Sequence, residues 1–244
     1  MVNQVKLKES DHLSFMECTV VCKQLEHLKS ISILVDANQN RDAWGISRIM
    51  IEGVALLSRV AAKPELASKW RVCFWVDQLK QLENAFKLPN YPNYKAEIPR
   101  YKKEIQLNLE KYGRPFLKSE SKDKSQEEIT PNDYLTDWKR GEDEKDKPSI
   151  KKIFCDGKLD QYYEAFYRDA SGWIHWDPVN TQEAVLCEPD RFTYENDSRP
   201  IAGAALAAGS FALLGSAYLL DQRLNLGFSD NLKNIALKGI EQKV

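Results

Sequence analysis

The chain has 244 residues, 43% of them hydrophobic, which is enough to fill the core of one large domain or two small ones and excludes global disorder. Its 35 basic and 36 acidic side chains leave a formal net charge of −1, so no overall electrostatic pull draws it to nucleic acid or to an anionic membrane. A partner of either kind has to be met by a local patch.

Residues 11 to 29 carry Leu13, Met16, Val20, Val21, Leu25 and Leu28 at helical spacing, with Ser14 and Glu17 placed for a capping box. His12, Cys18, Cys22 and His27 fall in the same predicted helix. At about 100° per residue Cys18 and Cys22 share a face while the two histidines point elsewhere, so this helix alone cannot close a tetrahedral zinc site. The five cysteines, Cys18, Cys22, Cys73, Cys155 and Cys187, are an odd number without a leader-like segment before them, and are expected to be reduced thiols of an intracellular protein.

Next comes "SISILVD", a β-branched run that predicts a strand ending on Asp36. "RDAWGISRIMIEGVALLSRVAA" follows with the period of a helix, turning Ile46, Ile49, Met50, Val54 and Leu57 inward. After Pro64, "WRVCFWVD" predicts a strand ending on Asp77, and "QLKQLENAF" a helix that Asp77 would cap. Strand, helix, strand, helix predicts an α/β or α+β fold with a small, mostly parallel sheet flanked by helices. "KLPNYPNYKAEIP" reads as irregular, "RYKKEIQLNLEKYG" as a charged helix closed by Gly113, and this α/β unit is expected over residues 1–117.

Residues 118–148 are dense in both charges and poor in aliphatics, the composition of a mobile insertion. Within it "DYLTDW" offers Tyr134, Leu135 and Trp138 for docking on a partner or on the domain itself. Residues 149–200 are expected to complete the domain with the strand "SIKKIFCD", ending on Asp156, and a hairpin "QYYEAFYRDASGWIHWDPV" turning at Asp169 to Gly172.

Residues 201–220, "IAGAALAAGSFALLGSAYLL", contain no charge, and at about 1.5 Å per residue they match the thickness of a bilayer core. They are a transmembrane candidate, followed by an amphipathic tail over 221–244 with Phe228, Leu232, Ile235 and Ile240. Small residues recur four apart, as in Gly203 with Ala207, Ala205 with Gly209, and Ala208 with Ala212, a pattern that lets another helix approach closely in lipid. Insertion would leave the N-terminal domain in the cytoplasm.

Three predicted strands ending in Asp36, Asp77 and Asp156 would gather carboxylates at one sheet edge, a donor set for Mg or Mn and for water activation in phosphodiester cleavage. "ILVDAN" resembles the first strand of PIN and NYN ribonuclease domains, and the resemblance implies a metal-binding role for Asp36. "YYEAFYRDASGWIHWDP" resembles the closing hairpin of transglutaminase-like cysteine hydrolases. That resemblance places Glu164, Trp173, Asp177 and Pro178 at family positions, with Asp177 orienting a histidine, but Asp160 occupies the place of the histidine itself. His175 reads as a half-exposed neighbour of core residues, and the tryptophans as packing, without the basic interleaving of a nucleic-acid surface.

The most specific features are those of interaction. The expectation is a membrane-tethered accessory or scaffolding protein acting through contacts with other proteins at a membrane, with no cofactor. The alternatives are a divalent-metal phosphohydrolase or nuclease using Asp36, Asp77 and Asp156, and a degenerate cysteine hydrolase.

Overall fold

A computed structural model describes residues 7–8, 10–85, 98–125, 128–135, 137–140, 145, 148–174, 185–188, 191–194 and 199–241. The helices are α1 (His12–Asp36), α2 (Asn40–Ala62), α3 (Glu65–Ala85), α4 (Ile98–Tyr112), α5 (Ile150–Asp156), α6 (Asp160–Tyr162), α7 (Arg168–Ile174), α8 (Arg199–Leu224) and α9 (Ser229–Glu241). A π-helical turn, Tyr163–Tyr167, joins α6 to α7. The chain divides into two compact units, Met1–Ala62 with Ser149–Val244, and Lys63–Pro148.

This helical architecture overturns the expected α/β or α+β fold. No parallel sheet exists among the described residues, whose only ladder is the short antiparallel pair Val185–Glu188 with Arg191–Tyr194. "SISILVD" is the last part of α1, because neither glycine nor proline interrupts the helix before Asp36. The pattern of burial agrees: a strand would put Ile31 and Ile33 on one face, whereas Ile31 is fully buried and Ile33 is 59% exposed. "WRVCFWVD" lies within α3, which buries Val72, Trp75, Val76 and Leu79, the spacing of a helix face, while Phe74 stays exposed.

"SIKKIFCD" is α5, started by Ser149, whose hydroxyl accepts the Lys152 N–H at 3.1 Å. The expected hairpin is helical through Ile174, and its turn residues Asp169 to Gly172 sit in α7. Its second half, with His175, Asp177 and Pro178, lies outside the described residues. The strand behind the first resemblance, and the described part of the hairpin behind the second, are helical here.

In the first unit α1, α2 and α8 pack together, and Ile31, Met50, Ile51, Val54, Ala205, Ala208 and Ala212 meet in the core. α1 is capped by Asp11, which accepts the Ser14 N–H at 3.0 Å, so it starts earlier than a Ser14 cap would have it. It ends at Asn38, which adopts the left-handed φ of 57° and lets the Gln39 N–H return to the Leu34 carbonyl at 2.7 Å. α5 lies against α2 at Gly157, where a Cβ would stand 3.1 Å from the Ala55 carbonyl oxygen.

In the second unit α3 and α4 pack through Val72, Trp75, Val76, Leu79 and Leu109, with Trp75 stacked on Tyr112 at 5.7 Å. The charged stretch after α4 closes this core. Leu117 and Tyr134 are both buried there and pair as a single antiparallel bridge, supported by Lys118 N–H to Asp133 carbonyl and Leu135 N–H to Phe116 carbonyl, each 2.8 Å. The Asp133 carboxylate accepts from Lys124 at 2.6 Å, from Ser121 at 2.5 Å, and from both the N–H and hydroxyl of Thr130 at 2.7 Å.

Those bonds, Lys124 first and then Ser121 and Thr130, hold the Asp133 carboxyl far below the usual range. A lowered carboxylate contributes stability that is present above its ordinary value of 3.8 and is lost as pH falls through the folded value. Asp133→Asn is therefore expected to speed amide exchange at Lys118 and Leu135 at pH 7, with the difference from wild type shrinking in strong acid. In the first unit, a Cβ on Gly209 would stand 2.9 Å from Ile31 Cδ1 and 3.2 Å from Leu28 Cδ1. Gly209→Leu should cost about 1–3 kcal/mol by overpacking, read as a lowered denaturant midpoint, and Gly209→Ala much less.

Candidate functional site

α8 begins with proline in its first turn, where a missing N–H costs nothing, and runs unbroken through its uncharged residues. It is the one helix among the described residues long and apolar enough to cross a membrane. Its fully buried side chains are Ala205, Ala208, Ala212 and Ser216, with Gly209 among them and Asp221 at its end. None of its leucines is fully buried. The small stripe brings the backbone of α8 down onto α1 and α2, and a Cβ on Gly215 would stand 3.0 Å from Val54 Cγ2.

Of the four small residues expected to pack in lipid, Gly209 and Ala212 thus face the chain's own core. Gly203 is exposed and Ala207 half-buried, and a Cβ on Gly203 would meet nothing within 4 Å. At about 100° per residue, Gly203, Ala207, Ser210, Leu214 and Tyr218 share the opposite, outer side of the helix. From Gly203 to Tyr218 that side carries no charge.

Polar groups fix the end of the arrangement where α8 runs into α9. The Glu17 carboxylate, 1% exposed on α1, accepts from Arg223 Nε at 3.0 Å through Oε1, while Oε2 has no hydrogen-bond partner. Asp221 makes the corner into α9, accepting the Phe228 N–H at 2.8 Å and the Ser229 hydroxyl, with Gly227 at φ 79° in the turn. Phe228 at this corner is 54% exposed, and Ile235 on α9 is 57% exposed.

A second constellation lies along α2, and sequence reasoning missed it. Trp44 Nε1 donates to Asp169 at 2.8 Å, and Arg48 donates to the Tyr167 hydroxyl at 2.7 Å with its guanidinium 4.7 Å over that ring. Arg59, 1% exposed, pairs with Asp156, which also accepts from Lys152 at 3.1 Å. Above them the π turn stacks Tyr163 on Tyr167 at 5.5 Å, and Tyr162 stacks on Phe211 of α8 at 4.0 Å. Burial, then the Glu52 charge, pushes the Tyr167 hydroxyl above its ordinary value. The available signal was Trp44, Arg48, Glu52 and Arg59 recurring on one side of a helix whose other side is apolar.

The three aspartates end no strand. Asp36 is the exposed last residue of α1, Asp77 is exposed within α3, and Asp156 is occupied by Arg59 and Lys152. Among the described residues no three His, Cys, Asp or Glu side chains are grouped to hold a metal ion. Tyr134 is buried in the core of its own unit, and Leu135 and Trp138 are half-buried, with the Leu135 carbonyl accepting from the Cys73 thiol at 3.4 Å. Glu164 pairs at the surface with Lys151 at 2.8 Å and Arg168 at 3.1 Å.

Burial pushes the Glu17 carboxyl above its ordinary value, against the pull of Arg223. For a raised carboxyl the folded state holds the proton more tightly, so stability falls as pH rises from about the ordinary 4.5 through the folded value. Glu17→Gln removes that fall. Denaturant midpoints measured from pH 4.5 to 7 should decline less steeply in the variant than in the wild type.

No curated protein and no solved structure matches the chain. Residues 16–192 match a family whose description is a family of unknown function, DUF5677. The match runs from within α1 through α7 into the second strand of the short pair, and stops before α8. The matched stretch is more than half of the chain, which therefore belongs to the DUF5677 family.

Proposed function

We propose that the protein is an accessory protein that binds other proteins at a membrane, using the outer side of α8. The observation that carries this reading is the length of uncharged, apolar helix in α8, whose outer side from Gly203 to Tyr218 also lacks charge. Its buried stripe is small, and its leucines and Phe211 are half-buried, with Leu206, Phe211 and Leu213 at the edge of the core. Gly203, Ala207 and Ser210 on that outer side leave room for the backbone of a partner helix.

Spanning the bilayer alone would pull α8 off Ile31, Met50 and Val54, each worth about 1.5–3 kcal/mol when buried. The helix in this reading stays on its bundle and meets an apolar helix of a membrane-embedded partner. Phe228, just before α9, and Ile235 on it add exposed apolar side chains at the same end of the chain. A cytoplasmic location fits the free thiols Cys18, Cys22, Cys73 and Cys155, which a reducing compartment keeps unpaired.

The test is fractionation of the full chain beside Ala207→Glu/Leu214→Glu, two charges on the outer side of α8. The wild type is expected in the membrane pellet and the variant in the supernatant, with equal far-UV circular dichroism and equal unfolding midpoints. A wild type found wholly in the supernatant, or a folded variant that stays in the pellet, would falsify the reading.

A further inference from the structure

We propose that Cys18 and Cys22 form a two-thiolate site for monovalent copper on the outer face of α1. Both thiols are free, Cys22 is exposed and Cys18 half-buried, and they stand one helical turn apart. Both line one open groove of about 480 Å³, walled on its apolar side by Leu7 and Phe15.

The helix sets which chemistry the pair supports. Residues four apart hold their Cβ atoms about 5–6 Å from each other, whereas a disulfide needs about 3.5–4.5 Å. A single bridging ion relieves that mismatch, since two metal–thiolate bonds of about 2.3 Å each span the gap between the sulfurs. Oxidation to an internal disulfide is therefore disfavoured where bridging by an ion is not.

The donor count then selects the ion. Among the described residues no third His, Cys, Asp or Glu joins the two thiols, so ions that demand four to six ligands lack them. Glu26, at the same groove, is already paired with Lys23 at 2.8 Å. Two soft sulfur donors without an oxygen set suit monovalent copper. Burial, followed by the neighbouring Cys22, pushes the Cys18 thiol above its ordinary value. Binding is then an exchange: one Cu(I) enters, two S–H protons leave, two Cu–S bonds form, and no electron is transferred.

The experiment titrates Cu(I) into the full chain anaerobically against a coloured Cu(I) chelator. Wild type is compared with Cys18→Ser, Cys22→Ser, the double variant, and Cys155→Ser. The wild type should withdraw one more equivalent than the double variant. Each single variant should lose that same equivalent, with retention weaker by about 100-fold or more because the second thiol no longer acts intramolecularly, and Cys155→Ser should keep it. A second reading needs no variant: copper should shield Cys18 and Cys22 of the wild type from iodoacetamide, as read by peptide mass spectrometry, and leave Cys155 reactive. Equal withdrawal by wild type and double variant, half an equivalent lost in each single variant, or no shielding of Cys18 and Cys22 overturns the proposal.

Discussion

Everything in the first unit depends on how closely the backbone of α8 approaches α1 and α2. Gly209 sits where even a methyl group would press on Ile31 and Leu28, and Ala205, Ala208, Ala212 and Ser216 extend that close seam along the helix. Close approach multiplies weak dispersion contacts between backbones and makes them the source of cohesion in place of interlocking large side chains. It also displaces the leucines of α8 to the flanks and the outer side. The same substitution of small for large that secures the interior therefore determines what the exterior offers.

The second layer is built on that seam. With α1, α2 and α8 drawn together, α2 still has a polar side, and the aromatic segment from Tyr162 to Tyr167 covers it. Its partners are ordered along the helix: Trp44 with Asp169, Arg48 with Tyr167, Arg59 with Asp156. Truncating one member of the buried Arg59 pair leaves an uncompensated charge, so this layer specifies one docking register more than it adds stability. A π-helical turn lets Tyr163 and Tyr167 stack while Phe166 reaches Trp44 at 5.9 Å.

The helices over 41–62 and 100–112 were legible in the sequence because long amphipathic repetition has only one regular solution. The apolar character and helical form of 201–220 were legible for the same reason. The three supposed strands were not, because short apolar runs satisfy both periods. What separated them was context: "SISILVD" continues a helix already under way, and "SIKKIFCD" follows Ser149, a capping residue that could have been weighed. The error in the described part of the hairpin came from the aromatics Tyr162, Tyr163, Phe166 and Tyr167, which favour strands intrinsically but recur here at spacings of three and four. The aspartate site fell with the strands, since its geometry existed only at a sheet edge. The two thiols of α1 were correctly set on one face, and the same geometry that denied them a tetrahedral site leaves them a shared groove.

The first unit is assembled from both ends of the chain, with Ala62 and Arg199 separated by the whole of the second unit and the aromatic segment. During synthesis α1 and α2 emerge early, with Ile31, Met50 and Val54 bare, and α8 arrives only after 136 further residues. At about 5–20 residues per second that interval is on the order of ten seconds, long compared with collapse or helix formation. For that time the nascent protein carries an open apolar trough shaped for a helix it has not yet made. Any apolar segment nearby in that interval can compete with α8 for it, which makes the order of synthesis part of how this bundle is protected.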